Sequence, residues 1–310
     1  MMNKKELEKI YKMSQNKLKT YLTKYLKTQY NDVTSSDGFI YAKGTFPVML
    51  VAHMDTVHKE SIKQIIYTKN GDIISSPQGI GGDDRNGIIS IMEIIKTYNC
   101  SVLFTEDEEA GCIGATKFVK AYEAGLVDMG PVNYIIELDR KGSNDAVFYE
   151  CDNPEFEDFI LKDKDWKLDW GTYTDIVEIA PALGVAAVNF SCGYYQAHTT
   201  KEYVVRSEME ANIEKVKKLL ERTTENDWFE YIEAEHYYKG FFSGWNTKTA
   251  DDYYECCKSY YVVAEGPKGK LIEDEVYAMN ETEAIGAFMI EHPEVCYNSV
   301  IDILCEDDYI

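Results

Sequence analysis

Five short segments of this 310-residue chain contain histidine or acidic residues, which are side-chain types that bind zinc in proteins. They read V-A-H-M-D-T-V (51–57), G-I-G-G-D-D-R-N-G (79–87), F-T-E-D-E-E-A-G (104–111), I-I-E-L-D-R (135–140) and Q-A-H-T-T-K-E-Y (196–203). Mixed sets of histidine and carboxylate are the ligands that a pair of co-catalytic zinc ions uses. Together, the five segments predict a hydrolytic metal centre.

Each segment taken alone also has an ordinary structural explanation. A histidine near an aspartate occurs in many cores and surfaces, and Asp83 beside Asp84 in a glycine-rich turn suits a helix N-cap. The acids of residues 106–109 suit a solvent-facing loop, and Arg140 would form a salt bridge with its acidic neighbours. The metal hypothesis therefore depends on all five segments occurring together.

Four of the five segments follow predicted β-strands. Apolar runs predict strands at 48–52, 102–104, 134–136 and 186–190, and helical spacing predicts helices at 4–27, 88–95, 114–124, 176–183 and one ending near 223. Asn70-Gly71 between two short apolar runs predicts a β-hairpin. The alternation indicates an α/β fold with a mostly parallel mixed sheet flanked by helices, which presents its site at the carboxyl edge of the sheet.

Charge divides the chain into two predicted domains. The net charge is −22, and residues 223–310 hold 20 acidic residues against 5 lysines. We therefore predict a catalytic domain at 1–223 and an acidic, tyrosine-rich α+β domain of unknown role at 224–310.

The same totals exclude several classes of protein. So negative a chain would be repelled by nucleic acid. No apolar run approaches the ~20 residues of a membrane-spanning helix, and no apolar core follows the N-terminal lysines as in a secretory signal. Eight cysteines without C-x-x-C spacing argue against a disulfide framework and favour a cytoplasmic location.

Over about residues 35–205, the chain resembles the di-zinc exopeptidases that include peptidase T, bacterial leucyl aminopeptidases and glutamyl aminopeptidases, whose motifs occur in the same order. The resemblance implies one metal on His53, Asp83 and Asp139 and a second on Glu109, Asp83 and His198. It also implies that Asp55 orients His53 and that Glu108 is the general base. His58, His236 and His292 match no motif and are expected at the surface.

Such a centre would hydrolyse amide bonds. Two metals lower the pKa of the water they share from ~15.7 towards ~7, and Glu108 would take its proton. Asp83 follows His53 by 30 residues and His198 follows Asp139 by 59, intervals too short for the lid or dimerisation insertions of many relatives. We expect a compact, lidless catalytic domain.

The resemblance predicts an aminopeptidase or small-peptide exopeptidase, because relatives with Glu in place of Asp139 tend to be carboxypeptidases or deacylases. The alternatives are an N-acyl amino acid deacylase or other amidohydrolase, and an inactive metal-bound binding module, against which Glu108 argues. Two zinc ions are expected, and the same ligands also accept cobalt or manganese. The expected partners are a small peptide substrate and, through the acidic domain, further copies of the chain.

Overall fold

The computed structural model describes residues 2–171, 173–234, 258–267, 270–278 and 300–305, together with positions 284–285, 288–289, 292 and 295. The chain divides into two compact units, Met1–Phe241 and Phe242–Ile310. None of the helices in the described part combines the length and the apolar character that crossing a membrane requires.

An eight-stranded sheet forms the centre of the first unit. Its strands, in spatial order, are β1 (Val33–Ser36), β2 (Phe39–Ala42), β6 (Cys100–Thr105), β3 (Phe46–His53), β7 (Tyr134–Arg140), β10 (Ala187–Ser191), β8 (Asp145–Val147) and β9 (Lys167–Leu168). The four strands β6, β3, β7 and β10 are parallel neighbours, whereas β2 pairs with β6 and β8 with β10 in antiparallel fashion. This mixed sheet confirms the predicted fold class.

Helices cover both faces of the sheet. They are α1 (Lys4–Tyr11), α2 (Gln15–Leu26), α3 (Gly82–Ile94), α4 (Ile113–Glu123), α5 (Pro154–Leu161), α6 (Asp175–Leu183) and α7 (Arg206–Arg222). Along β3, Leu50 joins the buried cluster that contains α1–α3, α5 and α7, while its neighbour Met49 joins the cluster of α4 and α6. Side chains that alternate in this way explain why β3 is apolar along most of its length.

The predicted single helix over residues 4–27 is wrong, because the segment forms two helices, α1 and α2. The chain turns between them, and α3 binds polar groups near the turn. The Tyr11 hydroxyl donates to Asn86 Oδ1 at 2.7 Å, and the Met13 carbonyl accepts from Arg85 Nη2 at 3.2 Å. Both helices still bury their apolar faces in one cluster, so the helical spacing continues across the break.

A second, four-stranded antiparallel sheet lies in the first unit. Its order is β11 (Tyr194–Tyr195), β12 (Tyr203–Val205), β5 (Ile73–Ser75) and β4 (Ile66–Tyr67). The pairing of β4 with β5 confirms the predicted hairpin. Strands β11 and β12 pair with each other, so the segment between them, which contains His198, is a closed loop.

The first unit extends beyond residue 223, where the sequence places the domain boundary. Residues up to 234 pair with it: Glu230 bridges to Val185, and Glu233 bridges to Cys151. Phe229 also packs 5.2 Å from Phe156, measured between ring centroids. These contacts are made by the backbone and cannot be read from the charges of the side chains. A boundary based on charge therefore falls too early in the chain.

The second unit contains a three-stranded antiparallel sheet in the order β14 (Leu271–Ala278), β13 (Lys258–Glu265) and β15 (Val300–Cys305). Tyr260, Val262 and Val276 are buried within it and pack with Phe288. The unit therefore has an apolar core of its own.

Candidate metal centre

The residues predicted to bind metal meet at the carboxyl edge of the central sheet. His53 ends β3, Asp139 lies one residue before the end of β7, and Glu109 lies in the loop after β6. Because β6, β3 and β7 are parallel neighbours, their carboxyl ends lie side by side. Asp83 reaches this edge from the first turn of α3, and His198 reaches it from the loop between β11 and β12.

Among the described residues, two groups of side chains offer ligand atoms within 4.8 Å of one another, and Asp83 belongs to both. One group is His53, Asp83 and Asp139, and the other is Asp83, Glu109 and His198. Asp83 Oδ1 lies 3.0 Å from His53 Nε2, and Asp83 Oδ2 lies 3.2 Å from His198 Nε2. The two oxygens of one carboxylate therefore face two different histidines.

Asp55 links the first histidine to the acidic loop. Its Oδ1 lies 3.2 Å from His53 Nδ1, which leaves Nε2 of that ring directed at Asp83. The Glu108 and Glu109 main-chain N–H groups donate to Asp55 at 3.0 and 3.1 Å. One buried carboxylate thus orients the imidazole and the loop that presents the two glutamates.

Glu108 belongs to neither group, although its side chain lies beside them. Its Oε2 is 4.0 Å from His53 Nε2, and the side chain is 14% exposed. Burial raises the pKa of Glu108 well above its ordinary value; the His53 imidazole opposes this, and nearby carboxylates, first among them Asp139, add to it. A carboxylate with a raised pKa is a stronger base than an exposed glutamate.

The site concentrates acidic groups in a buried place. Asp83, Asp84, Glu137 and Asp175 are buried, and the side chain of Asp139 is 9% exposed. Burial, followed by the charge of Asp83, raises the pKa of Asp139 to about 7. Glu109 Oε1 is buried and has no hydrogen-bond partner among the described residues. Divalent cations would compensate this charge and use the free oxygen, so the residues present fit a metal centre.

Asp139 is held on two sides by residues that the sequence analysis did not identify. Its main-chain N–H donates to Asn189 Oδ1 at 2.8 Å, and the Tyr194 hydroxyl donates to Asp139 Oδ1 at 3.3 Å. Asn189 lies on β10 and Tyr194 on β11. No local pattern around either residue distinguishes it from a core residue of its strand.

The prediction that His58 lies at the surface is wrong. Its side chain is 10% exposed, and its Nε2 lies 2.6 Å from Oε2 of Glu202, which is itself fully buried. Glu202 was also missed, although it follows His198 by four residues in the fifth segment. His292 is half-buried beside Asp274, with Nε2 3.0 Å from Oδ2, and His236 lies outside the described residues.

A cleft of about 210 Å³ lies against this part of the site. Its walls come from the turn between α1 and α2, the segment after β3 and the turn before α3. Asp55, His58 and Arg85 contribute side chains to it. The cleft therefore reaches Asp55, the residue that contacts His53 Nδ1.

Comparison with solved structures finds the same fold. The chain is similar to an aminopeptidase PepT from Bacillus cereus, with a TM-score of 0.55, 15% identity and coverage of 70% of this chain and 96% of that one. A Staphylococcus aureus tripeptidase gives a TM-score of 0.53 at 13% identity, over 71% of this chain and 98% of that one. The TET1 peptidase of Pyrococcus horikoshii gives a TM-score of 0.51 at 13% identity, over 70% of this chain and 98% of that one.

Comparison by sequence identifies the family. No curated protein sequence gives a significant match. The model of peptidase family M28 matches residues 5–165, which is just over half of the chain and includes every predicted ligand except His198. The fold then supplies His198 from outside the matched range, at 3.1 Å from Glu109. The chain belongs to peptidase family M28 and is a metal-dependent peptidase.

Proposed function

We propose that the chain is an aminopeptidase for short peptides whose catalytic centre holds two zinc ions. The observation that carries this proposal is the position of Asp83, whose two carboxylate oxygens face His53 and His198. A carboxylate placed in this way would be shared by the two ions of a co-catalytic site. We assign one ion to His53, Asp83 and Asp139 and the other to Asp83, Glu109 and His198, the two groups that the fold assembles.

Zinc in this site would polarise the scissile carbonyl and lower the pKa of a bound water molecule towards ~7. Glu108 would serve as the general base that accepts a proton from water and passes it to the leaving amine, a contribution of ~10²–10⁴ in rate. Asp55 keeps the His53 ring and the Glu108 main chain in place through one carboxylate. Burial of Glu108 supports this role because it raises the pKa of the side chain well above its ordinary value, which makes the carboxylate a stronger base.

The choice of zinc follows from the donors. Imidazole nitrogen together with carboxylate oxygen suits zinc, and cobalt or manganese would occupy and activate the same ligands. No cysteine belongs to either ligand group formed by the described residues.

The preference for the amino end of short peptides is supported by two observations. Solved proteins of this fold include an aminopeptidase and a tripeptidase. The loops at the centre of this chain are short, which leaves the site without the insertions that many relatives use as lids.

A substrate panel tests this preference. Aminoacyl-anilides and free tripeptides should be hydrolysed, and their N-acetylated counterparts should not. Cleavage of the N-acetylated compounds alone would instead establish an N-acyl amino acid deacylase on the same metals. Hydrolysis of none of them by the metal-loaded protein would favour a binding module.

Metal content tests the centre itself. The wild-type protein should bind two ions, and Asp83→Ala should lose both because both groups share that carboxylate. Elemental analysis of the dialysed proteins measures this directly. A wild-type protein with one ion, or an Asp83→Ala protein that keeps two, would contradict the two-metal assignment.

We further propose that the chain forms a homo-oligomer in the cytoplasm. The TET1 peptidase, which has the same fold, can assemble into a tetrahedron or a large octahedral shell. This supports self-association of the present chain. Cys100, Cys112, Cys151 and Cys192 are free and buried, which agrees with a reducing compartment.

A further inference from the structure

The main chain around Asp83 is held by the side chain of Glu202. The Asp83 N–H donates to Glu202 Oε1 at 2.9 Å, and the Gly81 N–H donates to Glu202 Oε2 at 2.8 Å. Asp83 has extended backbone angles (φ −81°, ψ 102°) although it lies in the first turn of α3, so the regular helix does not determine its position. The carboxylate of Glu202 supplies the acceptors that this segment would otherwise lack.

His58 completes the environment of Glu202. A buried carboxylate is costly unless its oxygens accept hydrogen bonds, and Glu202 accepts two from the main chain and a third from His58 Nε2 at 2.6 Å. His58 is therefore the side chain that fixes the rotation of the Glu202 carboxylate, in the manner of a charge-assisted pair. Glu202 belongs to neither ligand group, so its contact with the centre runs through the Asp83 main chain.

Two glycines make room for this arrangement. A Cβ at Gly79, whose φ is +81°, would lie 2.2 Å from His58 Cε1. A Cβ at Gly82 would lie 2.8 Å from Val204 Cγ2 and 3.3 Å from Glu202 Oε1. The glycine-rich turn before α3 thus lets the backbone approach both members of the pair.

We propose that His58 and Glu202 are positioning residues of the metal centre. Glu202 holds the Asp83 segment so that the two oxygens of Asp83 face His53 and His198, and His58 holds Glu202. The inference rests on the proposed two-metal function and assigns a role to two residues outside both ligand groups.

The test measures zinc affinity of the full chain by competition with a chelator. Glu202→Gln replaces one acceptor oxygen by an NH₂ group, so either the Gly81 N–H or the Asp83 N–H loses its acceptor. Loss of an outer partner of this kind should weaken metal binding by ~10–100-fold. His58→Ala should weaken it in the same direction but less, and His58→Gln should recover part of the loss because its amide can still donate to Glu202.

A spectroscopic readout separates positioning from a general loss of stability. Cobalt(II) bound in place of zinc has visible absorption bands that report the geometry of its ligands. Glu202→Gln should change these bands in protein that remains folded by circular dichroism. A purely structural role would lower the unfolding temperature of the metal-free protein and leave the bands of the folded fraction unchanged.

The matched control is His292→Gln, which disrupts a histidine–carboxylate pair with Asp274 in the second unit. It should leave zinc affinity and the cobalt spectrum at wild-type values. A folded Glu202→Gln protein with wild-type zinc affinity and a wild-type cobalt spectrum would overturn the inference. If Glu202→Gln does not fold, wild-type zinc affinity and cobalt spectrum in His58→Ala would overturn it instead. If the wild-type protein does not bind two ions, the proposed function fails together with this inference. If the wild type binds two ions and the variants behave like it, only this inference fails.

Discussion

Glu108 and Glu109 are adjacent in the sequence, yet the structure gives them different surroundings. Glu109 Oε2 lies 3.1 Å from His198 Nε2, within one of the two ligand groups. Glu108 belongs to neither group and lies in a buried position beside His53. The main-chain hydrogen bonds of both residues to Asp55 fix which side chain faces which way.

The two glutamates should therefore respond differently to the same substitution. Glu108→Gln keeps its shape and should leave metal content near normal while kcat falls by at least ~10²-fold. Glu109→Gln should instead weaken one of the two ions, because it removes a charged ligand. Metal analysis and steady-state kinetics measure both effects. An exchange of these behaviours between the variants would reverse the assignment within the pair.

Metal uptake should release protons, because the ligands are protonated in the metal-free protein. Hydrogen bonds to Asp83 and Glu109 raise the pKa of His198 to about 11, and burial, followed by Asp83, raises that of Asp139 to about 7. Both groups must lose a proton to bind metal. Zinc affinity should therefore rise with pH, more steeply below about pH 7, where Asp139 also holds a proton, than above it, where His198 still does. The proton release should be detectable by calorimetry in buffers of different ionisation enthalpy.

The raised pKa of Asp139 also determines whether the stability of the metal-free protein rises or falls with pH. The folded-state pKa of Asp139 is raised above its ordinary value of 3.8, so the folded state binds its proton more tightly than the unfolded state. This contribution is fully present below the unfolded pKa and is lost as pH rises through about 7. Urea unfolding of the metal-free protein should show that loss, and a stability that rises over this range would contradict it.

At the scale of elements, the N-terminal helices belong to the site as well as to the core. Lys19 of α2 forms an ion pair with Glu106, and Gln15 Nε2 donates to Asp107 Oδ1 at 3.0 Å. Glu106 Oε2 also accepts from the Gly38 N–H at 3.0 Å. These contacts occupy the two acids that precede Glu108, which leaves Glu108 and Glu109 as the acids of this loop that face the centre.

Helix α3 lies close to β7 at Gly87. A Cβ there would lie 2.1 Å from the Leu138 carbonyl oxygen and 2.4 Å from Asp84 Oδ2. In an open helix, Gly→Ala stabilises by ~0.5–1 kcal/mol. Here the overlap must move α3 away from the strand that carries Asp139, and overpacking of this kind costs ~1–3 kcal/mol.

Gly87→Ala should therefore lower both the unfolding temperature and the zinc affinity. The control is Gly71→Ala, where a Cβ has no atom within 4 Å but φ is +76°. That variant should cost ~1–2 kcal/mol of backbone strain and leave zinc affinity unchanged. Equal zinc affinity in the two variants would show that the approach of α3 to β7 does not position the ligands.

At the scale of the whole molecule, the segment after α7 completes the first unit. The Ala186 N–H donates to the Phe229 carbonyl at 2.9 Å, and the Ala234 N–H donates to the Glu150 carbonyl at 3.0 Å. Ala186 lies next to β10, which carries the Asn189 partner of Asp139. Residues 224–234 thus support the sheet that presents the site.

A chain ending at residue 234 should fold, bind two ions and retain hydrolysis of a small aminoacyl substrate, because both ligand groups lie in the first unit. A chain ending at 225 should be less stable, because it lacks the pairing of Glu230 and Glu233. We expect the oligomeric state, measured by sedimentation, to differ between the full chain and the 1–234 chain. Loss of metal binding in the 1–234 chain would contradict the proposed division of roles.

The sequence by itself determined the features that short segments encode. Apolar runs identify the parallel strands, because a strand covered on both faces is apolar along its length. The order of the histidine and acidic segments predicted which side chains would meet, and the structure brings His53, Asp83, Glu109, Asp139 and His198 together. Their role as ligands stays a prediction that metal analysis can test.

Only the tertiary structure decided the features that depend on distant contacts. His58 and Glu202 are 144 positions apart, and no local spacing distinguishes a histidine bound to a buried carboxylate from one at the surface. The sequence does not reveal the break between α1 and α2, because both helices bury their apolar faces in one cluster and the helical spacing continues across it. The continuation of the first unit past residue 223 rests on backbone pairing of residues 230 and 233, and backbone hydrogen bonds cannot be read from side-chain composition.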